Sequence, residues 1–150
     1  QGAYFELKRH RMMTQTAQRL STRLGYAIPK AVSEVGFEQS YRQVMELAAK
    51  AYEELAAWNP AVAAYVVPNA FNRRVLCRLN MRELFHLARL RCSPNAHFSM
   101  RRAARAMAES MQAVHPNFWS KLNLSEEETS QSITADYFSE VAAIPLIYKP

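Results

Sequence analysis

Between Phe37 and Trp58, the residues Phe37, Tyr41, Val44, Met45, Ala48, Tyr52 and Leu55 recur at three- and four-residue steps, with Glu and Lys between them. That is the period of a helix with one apolar face. Such a face must be buried against other elements. The chain of 150 residues, 49% of them hydrophobic, is long enough to do this without a disulfide or structural metal, since a domain of this size buries roughly 68–70% of its unfolded surface.

Several classes are excluded by composition. Three glycines and seven prolines do not fit collagen-like or low-complexity sequence, and no apolar run approaches the ~18 residues of a membrane span. Cys77 and Cys92 are too few for a disulfide framework, and no secretory signal is visible, so a cytoplasmic location with two free thiols is expected. The chain starts at Gln1, and Tyr4–Arg11 already reads as ordered, which suggests a piece of a longer polypeptide. The net charge of +6 suits anionic partners without choosing among them.

Along the chain, Ala3–Met13 reads as a short helix ending in a basic cluster, and Thr14–Gly25, rich in Thr, Gln and Ser, as an irregular connection. Pro29 starts a new element and Asn59-Pro60 stops the long helix. Tyr65-Val66-Val67 and Val75-Leu76-Cys77 read as two strands of a small sheet bent at Pro68-Asn69. Asn80-Met81-Arg82-Glu83 has the form of a capping box before a helix from Met81 to about Arg91. Ser93-Pro94-Asn95 interrupts it. A further helix runs to Val114, with Met100, Ala104, Met107, Met111 and Val114 on its stripe, and His115-Pro116 ends it. Glu126-Glu127-Glu128 suits a helix start or a solvated turn, and Ile133–Ile147 a last helix. The expected fold is α+β, mainly helical with a small antiparallel sheet, in a single domain over 1–150.

The most unusual local feature is Arg9-His10-Arg11. Adjacent cations repel unless an anion or acidic partner lies between them, and Arg forks bind phosphate or carbonyl-rich rings. The plainer alternative is a solvated helix end facing the negative pole of the helix dipole. Asn80, His86 and Arg91 lie on one helix, where Asn80 and Arg91 share a side, about 16 Å apart, while His86 points away. One small ligand therefore cannot hold all three. His86, Cys92 and His97 lack metal-ligand spacing, and no phosphate-binding glycine loop or hydrolase constellation is present. Arg101, Arg102 and Arg105 read as a basic, solvated helix face, with nucleic acid as the sharper alternative.

Taken together, these segments resemble the flavin-dependent thymidylate synthases. Arg9-His10-Arg11 resembles that family's Arg-His-Arg signature, followed here by Thr14 and by Ser21-Thr22-Arg23. Val67-Pro68, then Asn80-x-Arg82-x-x-x-His86, Leu90-Arg91, Ala96-His97, Arg101, Pro116 and Phe118 match the family's C-terminal half in order, so the chain resembles the back two thirds of such a domain. The resemblance implies that Arg9, His10 and Arg11 hold the flavin, FAD, with Asn80 and His86 near it. It also implies that Arg91 contacts the pyrimidine of deoxyuridylate and acts in catalysis, and that Ser21 and Arg23 meet the nucleotide phosphate from a neighbouring subunit. Methylene-tetrahydrofolate and NADPH would be co-substrates, in a homotetramer with active sites between subunits.

The sequence departs from that family at definite points. Nine residues separate Arg11 from Ser21, two more than the family's spacing, and Arg19 stands where an acidic or amide residue is usual. Glu6 replaces a Gln that contacts the base. Ala64 replaces a phosphate-binding Arg, and His97 and Ser99 replace Gln and Glu. Most of these losses fall on the nucleotide side, and the chain has only eight residues ahead of Arg9, far fewer than the family. Two other readings stay open. One is a non-catalytic homologous half that keeps the fold, with or without the flavin, and serves an active domain as structural partner; the other is a basic nucleic-acid binder.

Overall fold

The computed structural model describes residues 2–142, apart from the side chains of 118 and 119. In chain order the elements are α1 (Gly2–Leu7), β1 (Thr14–Ala17), β2 (Ala27–Pro29), α2 (Lys30–Glu34), α3 (Glu38–Trp58), α4 (Pro60–Ala63) and a 3-10 turn (Ala64–Val66). Next come β3 (Val75–Arg78), α5 (Met81–Arg91), α6 (Phe98–Val114), α7 (Pro116–Leu122), α8 (Ser130–Tyr137) and β4 (Phe138–Val141). They gather into two compact units, one of Ala17–Arg74 with 138–142, the other of Gly2–Thr16 with Val75–Tyr137. This is an α+β architecture, mainly helical with small sheets.

In the first unit α3 buries Met45 and Tyr52 against Ala63, Val67 and Phe71. Tyr41 on the same face donates its hydroxyl to the Ala27 carbonyl at 3.1 Å. Phe37 and Val44, although on the apolar stripe, stay 63% and 60% exposed, so the packed face is narrower than the stripe. Before α3, Gly36 adopts φ +78° and closes α2: its N–H donates to Ser33 and that of Phe37 to Val32. These are the paired bonds of a helix end that needs a left-handed residue. β2 and β4 pair antiparallel, Ala27 against Val141, with a bulge between Ile28 and Pro29, where proline has no N–H to give the ladder.

The second unit is built around α5 and α6. Asn80 caps α5 as its sequence form predicts, Oδ1 accepting from the Glu83 N–H at 2.9 Å. The core joins Leu84, Leu87, Ala88 and Cys92 of the α5 segment to Met100, Ala104 and Ala108 of α6 and Leu122 of α7. Leu87, Ala88, Ala104 and Ala108 have no exposed surface at all; the three alanines let neighbouring elements approach closely, while Leu87 supplies the volume.

Four expectations are corrected and one, at Pro116, is extended. Thr14–Ala17 is a strand, with exposure alternating along it; its partner is β3. Residues 65–67 are therefore not the partner of 75–77. Instead Asn59 ends α3 and opens α4, accepting from Ala61 N and Val62 N, and with Pro60 at the first helical position the apolar run stays helical through Val66. Pro116 ends α6 but also opens α7, a position that suits a residue without an N–H. The last helix stops at Tyr137, because Phe138–Val141 pairs with β2; residues 143–147 of the expected helix lie outside the described residues. Finally, Arg101 and Arg105 are not solvated: they are 6% and 2% exposed, and Glu128 lies 3.3 Å from each.

Truncating Leu87 to Ala should cost about 2–5 kcal/mol of stability, whereas Val44→Ala on the exposed side of α3 should change it by less than about 0.5 kcal/mol. Urea unfolding of the two variants, read by circular dichroism, checks this contrast.

Candidate functional site

A tight turn at the end of α1 shapes the basic cluster. The N–H groups of Lys8, Arg9 and His10 donate back to Tyr4, Glu6 and Leu7, so the chain winds tightly and successive side chains leave in different directions. Gln15 of β1 fastens this turn: its amide donates to the carbonyls of Leu7 at 3.2 Å and His10 at 3.0 Å. Arg9 and Arg11 point outward and His10 inward, 5% exposed. The Arg9 guanidinium lies 4.9 Å from the centroid of the Phe5 ring, and Lys8 lies over the same ring. The repulsion expected of three adjacent cations is relieved because the central one is neutral and withdrawn.

Its neutrality is dictated by its partners. Arg91 Nε donates to His10 Nε2 at 2.9 Å; a guanidinium keeps its protons, so Nε2 must hold a lone pair and the ring proton must sit on Nδ1. There it is donated to Glu83 Oε1 at 3.2 Å. Burial, the largest influence, lowers the His10 pKa below its ordinary 6.5, with Arg91 adding to the effect and Glu83 opposing it. The exposed His86 ring meets His10 edge-on, 5.8 Å between centroids.

Each of the three Arg91 nitrogens makes one hydrogen bond, which leaves two of its five N–H groups over. Besides His10, it donates through Nη1 to Glu6 Oε2 at 3.0 Å and through Nη2 to the Glu6 carbonyl at 3.5 Å. The other Glu6 oxygen accepts from the His97 N–H at 3.0 Å. Glu6 and Arg91 side chains are each 18% exposed, so this pair is only partly screened by water. His97 in turn caps α6, its Nδ1 accepting from Ser99 N at 3.2 Å, and its ring stacks on Phe98, which stacks on Tyr137. The Glu6 carboxylate thus joins Arg91 to the main chain at His97.

The structure brings His10, His86 and Arg91 together, since the length of the Arg91 side chain carries its head round to the His10 ring. Asn80 is exposed and its oxygen is spent on capping α5. Ser21 and Arg23 belong to the first unit, where Arg23, with 71% of its side chain exposed, pairs with Glu53 at 3.4 Å. Sequence reasoning missed Glu83 and Gln15 as members of the cluster; the only local signal for Glu83 was its place in the capping box, which gave it a different task. Among the described residues no group of three or more His, Cys, Asp or Glu could hold a metal, and no helix is long and apolar enough to cross a membrane.

Comparison with known proteins gives consistent results. Residues 2–117 match the family described as thymidylate synthase complementing protein. A UPF0159 protein of Chlamydia muridarum is 44% identical over 121 residues, covering 81% of this chain and 23% of that protein. A flavin-dependent thymidylate synthase of Geobacter sulfurreducens is 34% identical over 127 residues, 79% of this chain and 55% of that protein. One of the same description from Saccharolobus solfataricus is 29% identical over 126 residues, covering 78% and 48%. The chain thus spans about a quarter of the UPF0159 relative and about half of each synthase.

The lowered His10 pKa has a direction for stability. Between the folded and unfolded pKa values the unfolded chain binds the extra proton, so stability rises with pH there. The contribution should be complete above about 6.5 and fall away as pH drops below it. In His10→Asn the decline of stability between neutral and mildly acidic pH should be shallower than in the unaltered chain, measured by urea unfolding across that range.

Proposed function

This chain belongs to the thymidylate synthase complementing protein family, and from that premise we propose that it is a flavin-dependent thymidylate synthase-like protein that methylates deoxyuridylate to thymidylate. The observation that carries the reading is the mount beneath the basic cluster. His10 is held from both ring nitrogens, and the two flanking guanidiniums are thereby presented outward from a fixed turn. Neither Arg9 nor Arg11 is paired with a carboxylate among the described residues. Two outward guanidiniums beside an exposed imidazole, His86, are a donor set that suits the phosphates and carbonyl-bearing ring of FAD.

In this reading Arg9 and Arg11 hold the flavin, His10 positions them, and Asn80 and His86 border it. When bound, the flavin supplies the hydride that reduces the methylene delivered from methylene-tetrahydrofolate, NADPH being the source of that hydride. The protein's own share is orientation and electrostatic preorganisation. Arg91 is suited to stabilise negative charge developing on the pyrimidine, and Ser21 and Arg23 to hold the nucleotide phosphate from a neighbouring subunit of a homo-oligomer. A cytoplasmic setting fits such chemistry.

A second reading is favoured by one observation. Glu6 already engages Arg91, its carboxylate at Nη1 and its main-chain carbonyl at Nη2, as expected of a homologous half that keeps the fold, with or without flavin, and leaves turnover to a partner domain.

The purified chain, mixed with FAD and desalted, should keep the visible flavin absorbance, and Arg9→Ala with Arg11→Ala should lose it while circular dichroism stays unchanged. A double variant that stays yellow would remove the assigned flavin site. Deoxyuridylate should then shift the flavin spectrum, about tenfold more tightly in Glu6→Gln, where a charge-assisted competitor for Arg91 is gone. Retained flavin that ignores the nucleotide in both forms would establish the structural half instead.

A further inference from the structure

We propose that a cleft in the second unit, away from the His10 cluster, binds a small organic phosphate monoester. The cleft measures about 570 Å³, and none of Glu6, His10, Glu83, His86 or Arg91 lines it. Arg89 of α5, Arg105 of α6 and Lys121 of α7 face it with a single carboxylate, Glu128. Its lining therefore carries two positive charges in excess.

The imbalance reaches into the core. Arg101 and Arg105, both buried, share Glu128: Arg101 Nε lies 3.3 Å from one carboxylate oxygen and Arg105 Nη2 3.3 Å from the other. Arg101 also donates to the Pro94 carbonyl at 3.4 Å and Arg105 to that of Ser125 at 2.8 Å. Yet the Nε of each is buried without an aligned hydrogen-bond acceptor. The next carboxylate along α6, Glu109, is spent on the N–H and hydroxyl of Ser130, at 2.7 and 2.5 Å. Burial pushes the Cys92 thiol in the cleft wall up to about 11, so no thiolate supplies the missing charge. Two buried guanidiniums facing one shared carboxylate are costly to a fold, and an anion in the adjoining cleft would offset that cost.

The arrangement selects among anions. Arg89 and Lys121 are exposed and lie on separate helices, while Arg105 is 2% exposed and already bonded to Ser125 and Glu128. A tetrahedral dianion would be held by the first two and balanced by the charge of the third, whereas a planar carboxylate is served by one guanidinium fork. The excess of two charges equals that of a phosphate monoester. The volume greatly exceeds a phosphate ion, and Pro94, Leu122 and Leu124 line the remainder, which suits an apolar organic body attached to the phosphate.

The test titrates phenyl phosphate into the full chain by isothermal calorimetry, with inorganic phosphate and benzoate as separate arms. Saturable binding of phenyl phosphate at one site is expected. It should weaken about three- to tenfold in Lys121→Gln and again in Arg89→Gln, both exposed positions whose contacts lie at the low end for charged pairs, and stay unchanged in Arg9→Ala with Arg11→Ala. Absence of saturable binding, or binding lost only in the Arg9 and Arg11 variant, overturns the site. Benzoate binding as tightly overturns the phosphate, and inorganic phosphate binding as tightly overturns the organic body.

Discussion

A guanidinium that cannot give up its proton orders the second unit. Because Arg91 must donate, His10 must accept at Nε2 and donate at Nδ1, and Glu83 must receive that proton. Glu83 sits where it does because Asn80 caps its amide, and Glu6 sits where it does because α1 ends in the turn that Gln15 fastens. The proton position at one buried ring thus links the start of the chain to both ends of α5. Replacing Arg91 or Glu83 leaves a nitrogen of the buried His10 ring unsatisfied, which is the expensive way to break a polar network.

The parts of the fold that could be read from the sequence are those fixed within a few residues. α3, α5 and α6 arise from their apolar periods, and their ends from Asn59-Pro60, Asn80 and His115-Pro116. The errors lie where distant pairing decides. Thr14–Ala17 is a strand because β3 comes to it, and Phe138–Val141 leaves the helix because β2 does. Val66 and Val67 have strand character locally, but the Asn59 cap and Pro60 set a helical run going just before them, and propensity yields.

The same division holds for the site. Arg9, His10, Arg11 and Arg91 stand out by type and spacing, yet the sequence could not assign their partners. A His between two arginines reads as a surface cation, and only the fold reveals a neutral ring turned inward. The arginines of α6 illustrate the converse. Arg101 and Arg105 at i and i+4 have the spacing of a solvated basic stripe, and what buries them is Glu128, more than twenty residues further along and on no recognisable motif. Periodicity reports which residues share a face and is silent about which face turns inward when charges and alanines alternate along one helix.

The Glu6 carboxylate changes what affinity means at Arg91. It is tethered to its partner, so its local concentration is set by the fold and does not fall on dilution. Any free anion competing for that guanidinium meets a receptor open only for the fraction of time in which Glu6 has swung away, and its apparent dissociation constant is its intrinsic one divided by that fraction. Occupancy of Arg91 is then governed by the dynamics of one short helix at the front of the chain as much as by the chemistry of whatever arrives.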